Sequence, residues 1–262
     1  MAELTARQAL TTALQFVRTV IFYIGYIAVT GWYSITGLLF CSWLPKPIRT
    51  PYLVTWNRWI LIWLRWSCGI RYQVEGDIPP GNYVVLSKHQ SQWETFYLQY
   101  AFFPVDVVLK RELLNLPFFG WALRLMEPIA IDRSNPKAAL RYIQEEGVRR
   151  LAQGSRVLIF PEGTRIAPGQ KGKYARSGAN VAITAGAPVV PVAHNAGECW
   201  PARKFLKKPG LITVVIGAPI PSEGLDSKSL TAQVEQWIEA QQARLGAKPD
   251  GDITQSAAPP LS

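Results

Sequence analysis

The stretch that decides the fold is YVVLSKHQSQWETF, residues 83–96. It opens with a short apolar run, which is typical of a strand that is covered on both faces of a sheet. Polar residues follow, and Ser91 and Glu94 have the Ser-x-x-Glu spacing of a helix capping box. The stretch therefore predicts a strand, a loop that contains His89, and the start of a helix. Open α/β sheets place their sites at the carboxyl ends of strands, so His89 is a candidate functional residue.

Similar short apolar runs recur along the chain after about residue 72. They predict further strands at residues 105–110, 129–132, 156–160, 188–194 and 211–217. Helical patterns separate them: one is capped by Asn135 and ends near Gly154, another begins around Ser177, and the last spans residues 227–245. We expect an α/β fold with a mixed, largely parallel sheet flanked by helices.

The amino-terminal part has a different character, because residues 19–44 contain no charged side chain. A bilayer core requires about 20 apolar residues of helix, whereas the apolar part of a signal peptide has roughly 7–15. The run favours a membrane-associated helix over a buried core helix of a soluble protein. Gly25, Gly31 and Gly37 would permit a bent or re-entrant path.

The next segment, residues 51–66, is predicted to be helical and rich in tryptophan. At about 100° per residue, one narrow stripe contains Trp56, Trp59, Trp63 and Trp66. Arg58 and Arg65 lie on the opposite face. The pattern favours a helix in the membrane interface, since tryptophan prefers the headgroup level. A core-packed amphipathic helix is the alternative.

Composition limits the possible partners. The chain has 262 residues and a formal charge of +10, which indicates an anionic partner such as nucleic acid, an acidic lipid surface or a phosphorylated substrate. Nucleic acid is disfavoured, because the arginines are dispersed among apolar residues and no known binding module is present. The three widely separated cysteines suggest neither a disulfide framework nor a zinc site.

These patterns divide the chain into three parts. Residues 1–72 are predicted to form a membrane-anchoring helical segment, and residues 73–245 an α/β domain. Residues 246–262 have little to bury and are predicted to be a disordered tail.

Polar clusters follow four more of the predicted strands. They are LKRELLNLPFFGW (109–121), IDRS (131–134), FPEGTR (160–165) and VVPVAHNAG (189–197). In this order and at these separations, together with the His-x4-Glu of residues 89–94, the set resembles the glycerophospholipid acyltransferases, specifically the 1-acyl-sn-glycerol-3-phosphate acyltransferases. The resemblance covers roughly residues 83–195. The first motif of the family is normally His-x4-Asp, and here Glu94 takes the place of the aspartate.

The resemblance implies transfer of a fatty acyl group from acyl-CoA or acyl carrier protein to the sn-2 hydroxyl of 1-acyl-glycerol-3-phosphate. His89 would be the general base, since imidazole titrates near neutral pH. Glu94 would hold the ring in the required tautomer and stabilise the imidazolium. No covalent acyl-enzyme is needed, and the N–H groups at the start of the following helix could stabilise the oxyanion.

The resemblance also implies a set of substrate-binding residues. Glu162, Gly163 and Arg165 are expected to bind the glycerol-phosphate part, with Lys110 and Arg133 as further candidates. Gly163 permits close backbone approach, and Arg165 offers a planar fork of donors to a phosphate. No metal and no cofactor are expected, since the thioester donor is a substrate.

Three further features of the sequence bear on the sheet and on anionic ligands. His194 has no carboxylate at motif spacing, and we interpret it as structural. Pro191 is expected to mark the end of a strand. The basic segment 202–210 suits anionic headgroups or the phosphates of CoA, or it is a plain exposed loop.

Two alternatives to this function remain open on the sequence. One is an acyltransferase for another lysolipid, such as lyso-ornithine lipid, and the other is a non-enzymatic membrane protein that binds lipids. All three place the protein at a phospholipid bilayer, and we expect the cytoplasmic face of the inner membrane.

Overall fold

The structure is a computed structural model that describes residues 2–246, with side chains from residue 7 onward. Two helices precede the sheet. They are α1 (Ala2–Thr36), which continues into a π-helical turn (Gly37–Cys41), and α2 (Lys46–Cys68). The predicted tail begins at residue 246, where Gly246 still belongs to the last helix, and its remaining residues lie outside the described part of the chain.

The rest of the described chain alternates strands and helices. The strands are β1 (Ile70–Glu75), β2 (Val84–Ser87), β3 (Val105–Lys110), β4 (Ile129–Ile131), β5 (Arg156–Ile159), β6 (Val189–His194) and β7 (Gly210–Ile216). The helices are α3 (Trp93–Ala101), α4 (Phe119–Arg124), α5 (Pro136–Ala152), α6 (Ser177–Ala185), α7 (Ala196–Cys199) and α8 (Ser227–Gly246), and a 3₁₀ turn occupies Arg111–Asn115.

The seven strands form one sheet in the order β1-β7-β6-β2-β5-β3-β4. Every neighbouring pair is parallel except β6 and β7, which are antiparallel. The prediction of a mixed, largely parallel sheet flanked by helices is therefore confirmed. The six strands predicted from apolar runs are all present within one residue of their expected bounds.

The sequence analysis missed β1 (Ile70–Glu75), which crosses the boundary placed between residues 72 and 73. This strand lies at the edge of the sheet and alternates apolar with polar residues, among them Arg71, Gln73 and Glu75. An edge strand need not be apolar on both faces, and β1 lacks the continuous apolar character by which the other six strands were recognised.

The prediction that Pro191 ends a strand is wrong, because it lies inside β6. The antiparallel ladder between β6 and β7 covers Val192 to His194, and a separate bridge joins Val189 to Ile220. Pro191 lies between these two pairings, and its carbonyl accepts from the N–H of Gly217, the residue after β7, at 2.9 Å. A proline is tolerated there because its missing N–H interrupts no ladder hydrogen bond with β7.

The helices α1 and α2 pack closely against each other. A side chain at Gly25 would collide with the indole of Trp63, whose Nε1–H donates to the carbonyl of Phe22 at 3.1 Å. The Nε1–H of Trp56 likewise donates to Thr30 Oγ1 at 3.2 Å. Glycine is therefore required at residue 25 to admit the ring, and α1 is continuously helical through this residue.

The outer face of α1 is apolar and exposed. Its large exposed side chains include Leu10, Leu14, Phe16, Val17, Ile21, Ile24, Ile27, Trp32 and Ile35. In the described part of the chain, one helical stretch, Arg7–Cys41, is long and apolar enough to cross a membrane, and only 11% of its most apolar window is buried in the protein. This exposure argues against a buried core helix.

Two hydrophobic cores cover the two faces of the sheet. One joins the sheet to α1, α2 and α3 through side chains such as Phe22, Leu64, Trp93 and Val192. The other packs α5, α6 and α8 against the opposite face. β2 is buried on both faces of the sheet along its whole length. The loop that contains His89 therefore begins in the interior of the protein.

Candidate active site

The site lies where β2 and its two parallel neighbours, β5 and β6, end at the same edge of the sheet. Their carboxyl ends lead into the loops that begin at Lys88, Phe160 and Asn195. The backbone N–H of Lys88 donates to Val192 and its carbonyl accepts from His194, so β6 fixes the beginning of the first loop. Side chains from segments far apart in the sequence thereby meet at His89.

His89 and Glu94 are in direct contact. His89 Nδ1 lies 2.9 Å from Glu94 Oε1, and the side chains are 15% and 0% exposed, respectively. The imidazole also stacks on the ring of Phe160, with 4.1 Å between the centroids. The expectation that these two side chains form a pair at a strand end agrees with this geometry.

A single oxygen of Glu94 accepts three hydrogen bonds. Besides His89 Nδ1, Oε1 accepts from the backbone N–H of Gln90 at 2.9 Å and of Ser91 at 2.7 Å. The carboxylate therefore caps the start of α3 and orients the histidine with the same atom. The other oxygen, Oε2, is buried and has no hydrogen-bond partner among the residues described.

The environment of Glu94 keeps its carboxyl group ionised. Burial by itself raises the pKa of Glu94, but its electrostatic interactions with His194 and His89, together with the hydrogen bonds from His89 and the Ser91 backbone, outweigh burial and lower that pKa. A carboxylate can only accept, so the proton of the neutral imidazole lies on Nδ1. Nε2 then has a free lone pair, as a general base requires.

The first N–H groups of α3 are less available than we expected. The N–H groups of Gln90 and Ser91 donate to Glu94, that of Trp93 donates to Ser91 Oγ, and that of Thr95 donates to the carbonyl of Gln92. Donors that already have protein acceptors are not preorganised for an oxyanion. These four groups do not support the expected oxyanion role.

Glu162 contacts the loop of His89 through the backbone N–H of that residue and through the neighbouring Lys88. Its side chain is fully buried, and Oε1 accepts from the ammonium of Lys88 at 2.7 Å and from the N–H of Gly172 at 3.1 Å. Oε2 accepts from the backbone N–H of His89 at 3.1 Å. In this arrangement Glu162 braces the loop of His89, and its expected contact with substrate stays a prediction.

Gly163 and Arg165 lie in the exposed turn that follows Glu162. Gly163 has φ +65° and open space around its Cα, so the turn requires its backbone conformation rather than its small size. Arg165 Nε donates to the carbonyl of Ser91 at 2.8 Å. Partial burial of its guanidinium against the His89 loop lowers the pKa of Arg165, and the opposing influence of Glu94, which is countered by Arg203, does not reverse that direction. Arg165 thus brings a guanidinium next to the His89 loop.

The other two candidate cations lie farther along the same edge of the sheet. Lys110 ends β3, is exposed, and pairs with Glu112 at 3.0 Å. Arg133 is exposed in the turn after β4, where Asp132 accepts from Ser134. β5 separates β3 from β2, so Lys110 is one strand removed from the strand that leads to His89.

His194 is held as a structural residue. It is fully buried, its Nε2–H donates to the carbonyl of Lys88 at 2.9 Å, and its Nδ1 accepts from the N–H of Ala196 at 3.2 Å. Burial lowers the pKa of His194, which keeps the ring neutral. With both nitrogens bonded to backbone, this histidine has no position free for a substrate proton.

Two residues at the site were missed by the sequence analysis. Phe160 was read only as the end of a strand, although its ring stacks on His89. Lys88 was not singled out as a site residue. A lysine directly after an apolar strand indicates a buried ammonium, and a buried ammonium requires acceptors nearby. Pairing with those partners depends on residues far away in the sequence.

Comparison with known proteins identifies the relatives of this chain. The profile of a family described as Acyltransferase matches residues 69–195. A protein of Pseudomonas aeruginosa named 1-acyl-sn-glycerol-3-phosphate acyltransferase is 45% identical over 240 residues, which cover 89% of this chain and 93% of that protein. A human protein named 1-acyl-sn-glycerol-3-phosphate acyltransferase alpha is 32% identical over 186 residues, covering 68% of this chain and 65% of the human protein.

The fold has a counterpart among solved structures. The crystal structure of the 1-acyl-sn-glycerophosphate acyltransferase PlsC from Thermotoga maritima superimposes with a TM-score of 0.73 over 94% of this chain and 100% of that one. The two sequences are 22% identical, so this likeness concerns the fold alone.

Proposed function

This chain belongs to the family of 1-acyl-sn-glycerol-3-phosphate acyltransferases, and from that premise we propose that it acylates the sn-2 hydroxyl of 1-acyl-glycerol-3-phosphate to give phosphatidate. The acyl donor is a thioester, acyl-CoA or acyl carrier protein. The observation that carries the proposal is the contact of 2.9 Å between His89 Nδ1 and Glu94 Oε1, which leaves Nε2 free at the end of a central strand.

The reaction follows from this geometry in one addition and one elimination. Nε2 of His89 takes the hydroxyl proton as the oxygen attacks the thioester carbonyl, and Glu94 stabilises the imidazolium that forms. The tetrahedral intermediate then expels the thiolate, which receives the proton back from the imidazolium. No residue of the protein is acylated, and the histidine ends in its starting state.

The phosphate of the acceptor requires cations at the mouth of the site. Arg165 suits this role, because its guanidinium lies beside the loop of His89 and a fork of N–H donors matches phosphate oxygens. Lys110 and Arg133 are exposed at the neighbouring strand ends and extend the positive edge. Gly163 leaves the backbone of the same turn accessible to the substrate, and Glu162 braces the loop of His89.

A membrane location is part of the proposal, because the acceptor and the product are lipids. The exposed apolar face of α1 supports it, with little of that helix buried. The net charge of +10 suits a surface of anionic lipids. We propose the cytoplasmic face of the inner membrane, where the thioester donors would be reached.

The test is an acyl-transfer assay with labelled oleoyl-CoA against a panel of lysolipids that includes lysophosphatidate and lyso-ornithine lipid. Lysophosphatidate should be the preferred acceptor. Because the general base contributes about 10²–10⁴-fold in rate, His89→Ala and Glu94→Ala should reduce turnover to near background. Glu94→Asp should retain much of it, since aspartate is the usual residue of the family at this place.

Two results would contradict the proposal. Preferred transfer to lyso-ornithine lipid would move the protein to the alternative acceptor class. Wild-type turnover by purified His89→Ala would show that His89 is not the general base. Membership in a family of enzymes favours catalysis over the non-enzymatic lipid-binding alternative.

A further inference from the structure

The residue before the catalytic histidine is a fully buried lysine. Lys88 is 0% exposed, and its side chain points away from the His89–Glu94 pair into the interior of the protein. Its ammonium has three acceptors: Glu162 Oε1 at 2.7 Å, Glu239 Oε1 at 2.9 Å and the carbonyl of Gln170 at 3.1 Å. An ammonium has three N–H donors, so each has an acceptor from a different segment of the chain.

Two of these acceptors connect Lys88 to other parts of the site. Glu162 also accepts the backbone N–H of His89, so the lysine and the histidine share one carboxylate. Glu239 lies on α8 and also accepts from Tyr174 Oη at 2.8 Å. A continuous chain of contacts therefore runs from α8 through Lys88 and Glu162 to His89.

The same helix holds the residue on the other side of His89. Gln242, one helical turn after Glu239, accepts from Gln90 Nε2 at 2.7 Å and donates to the carbonyl of His194 at 2.9 Å. Residues three apart lie on the same face of a helix. α8 therefore forms hydrogen bonds with both neighbours of His89 in the sequence, Lys88 and Gln90.

We propose that Lys88, Glu239 and Gln242 are positioning residues, through which α8 holds the loop of His89 in the geometry that the reaction needs. The inference rests on the proposed function, because the geometry is that of His89 as the base. These three side chains act through others and need not touch either substrate.

The chemistry of the contact favours positioning over plain stability. Burying an ammonium with two carboxylates is costly, and apolar side chains of similar size often give equal or greater stability. What the polar contacts provide is direction, since each hydrogen bond fixes an angle and a distance. A displacement of about 1 Å at a reacting group can cost 10²-fold in rate.

The experiment compares two glutamates of the same helix. Glu239→Ala removes an acceptor of Lys88, and Glu235→Ala removes a surface ion pair with Lys171, which are 2.6 Å apart. Glu239→Ala should lower kcat by about 10²-fold and leave KM for both substrates nearly unchanged. Glu235→Ala should match the wild type, and Glu239→Gln, which keeps an acceptor oxygen, should recover most of kcat.

A double-mutant cycle with Lys88→Met and Glu239→Leu keeps the test valid if a single variant is poorly folded. Lys88→Met alone leaves Glu162 and Glu239 facing each other without a cation, whereas Lys88→Met/Glu239→Leu removes one of those carboxylates as well. If the two residues act through one contact, the double variant loses no more kcat than the worse single variant. Independent effects would multiply.

Three outcomes separate the possibilities. If Glu239→Ala keeps the kcat of Glu235→Ala, or only its melting temperature falls, the positioning role is overturned. If kcat effects of Lys88→Met and Glu239→Leu multiply, the proposed chain of contacts is wrong. If the wild type transfers no acyl group, or His89→Ala keeps its rate, the proposed function fails instead.

Discussion

At the scale of single residues, one oxygen atom combines structure and chemistry. Oε1 of Glu94 satisfies two backbone N–H groups at the start of α3 and also orients His89. The capping interpretation and the catalytic interpretation of Glu94 are therefore compatible. An aspartate or a glutamate can serve, provided that its oxygen reaches the three donors.

Arg165 gives the residue-scale prediction. Arg165→Ala removes the charged donor that we propose for the acceptor phosphate, and a hydrogen bond to a charged group contributes about 1.5–3 kcal/mol, roughly 10–100-fold in apparent affinity. KM for lysophosphatidate should rise by that factor while KM for the thioester changes little. Steady-state kinetics with each substrate varied in turn measure both values.

The control for Arg165 is Arg141→Ala, which removes an exposed arginine of α5. It should leave both KM values unchanged. An unaltered KM for lysophosphatidate in Arg165→Ala would count against its phosphate role.

At the scale of secondary structure, the tryptophan stripe of α2 divides into two pairs. Trp56 and Trp63 face α1 and donate their indole N–H groups to it. Trp59 and Trp66 are 52% and 77% exposed. The contacts of Trp56 and Trp63 agree with the core-packed interpretation at one edge of the stripe, and the interface interpretation stays a prediction for the exposed edge.

The two pairs should respond differently to substitution by alanine. Trp56 and Trp63 are partly buried against the core, so Trp56→Ala and Trp63→Ala should each destabilise the fold by about 3 kcal/mol, the low end of the range for a tryptophan in a core. Trp59→Ala and Trp66→Ala should change stability by no more than about 0.5 kcal/mol but weaken binding to vesicles. Thermal unfolding in detergent and flotation with anionic vesicles measure the two effects, and equal vesicle binding by all four variants would contradict this division.

At the scale of the whole molecule, α1 is fastened to the loop between α7 and β7 by a buried lysine. Lys207 is 1% exposed, and its ammonium donates to Tyr23 Oη at 2.9 Å and to the carbonyl of Phe205 at 2.6 Å. It also lies over the rings of Tyr23 and Trp200 at 4.6 and 4.7 Å. This contact joins the helix with the exposed apolar face to the α/β domain.

Lys207 predicts a pH dependence of stability. Burial lowers its pKa from the ordinary 10.5 to about 8. Between these values the unfolded chain binds more protons than the folded one, so the stability contributed by this residue rises as pH increases from about 8 to 10.5. The difference in melting temperature between the wild type and Lys207→Met should grow in favour of the wild type across this window.

Thermal unfolding in detergent at a series of pH values measures that difference. Lys208→Met provides the control, because Lys208 is adjacent to Lys207 in the sequence but is exposed. A constant difference between the wild type and Lys207→Met would show that the buried lysine is not titrating as proposed.

Much of the fold could be predicted from local patterns. The apolar runs located six strands, and Asn135, whose side chain accepts from the N–H of Ala138, marked the start of α5 as expected. β1 was missed because an edge strand need not be apolar on both faces, and Pro191 was misplaced because its tolerance depends on where the partner strand stops pairing.

For the site, the sequence by itself determined the contact between His89 and Glu94, since the two are held together by one loop and one turn of helix. Only the tertiary structure decided what surrounds them: Phe160 against the imidazole, Glu162 and Glu239 around Lys88, and Gln242 on Gln90. Local spacing determines contacts within a turn of helix or a short loop. Contacts between the end of β2 and α8 arise only when separate elements pack on the same sheet, and no spacing in the sequence encodes that distance.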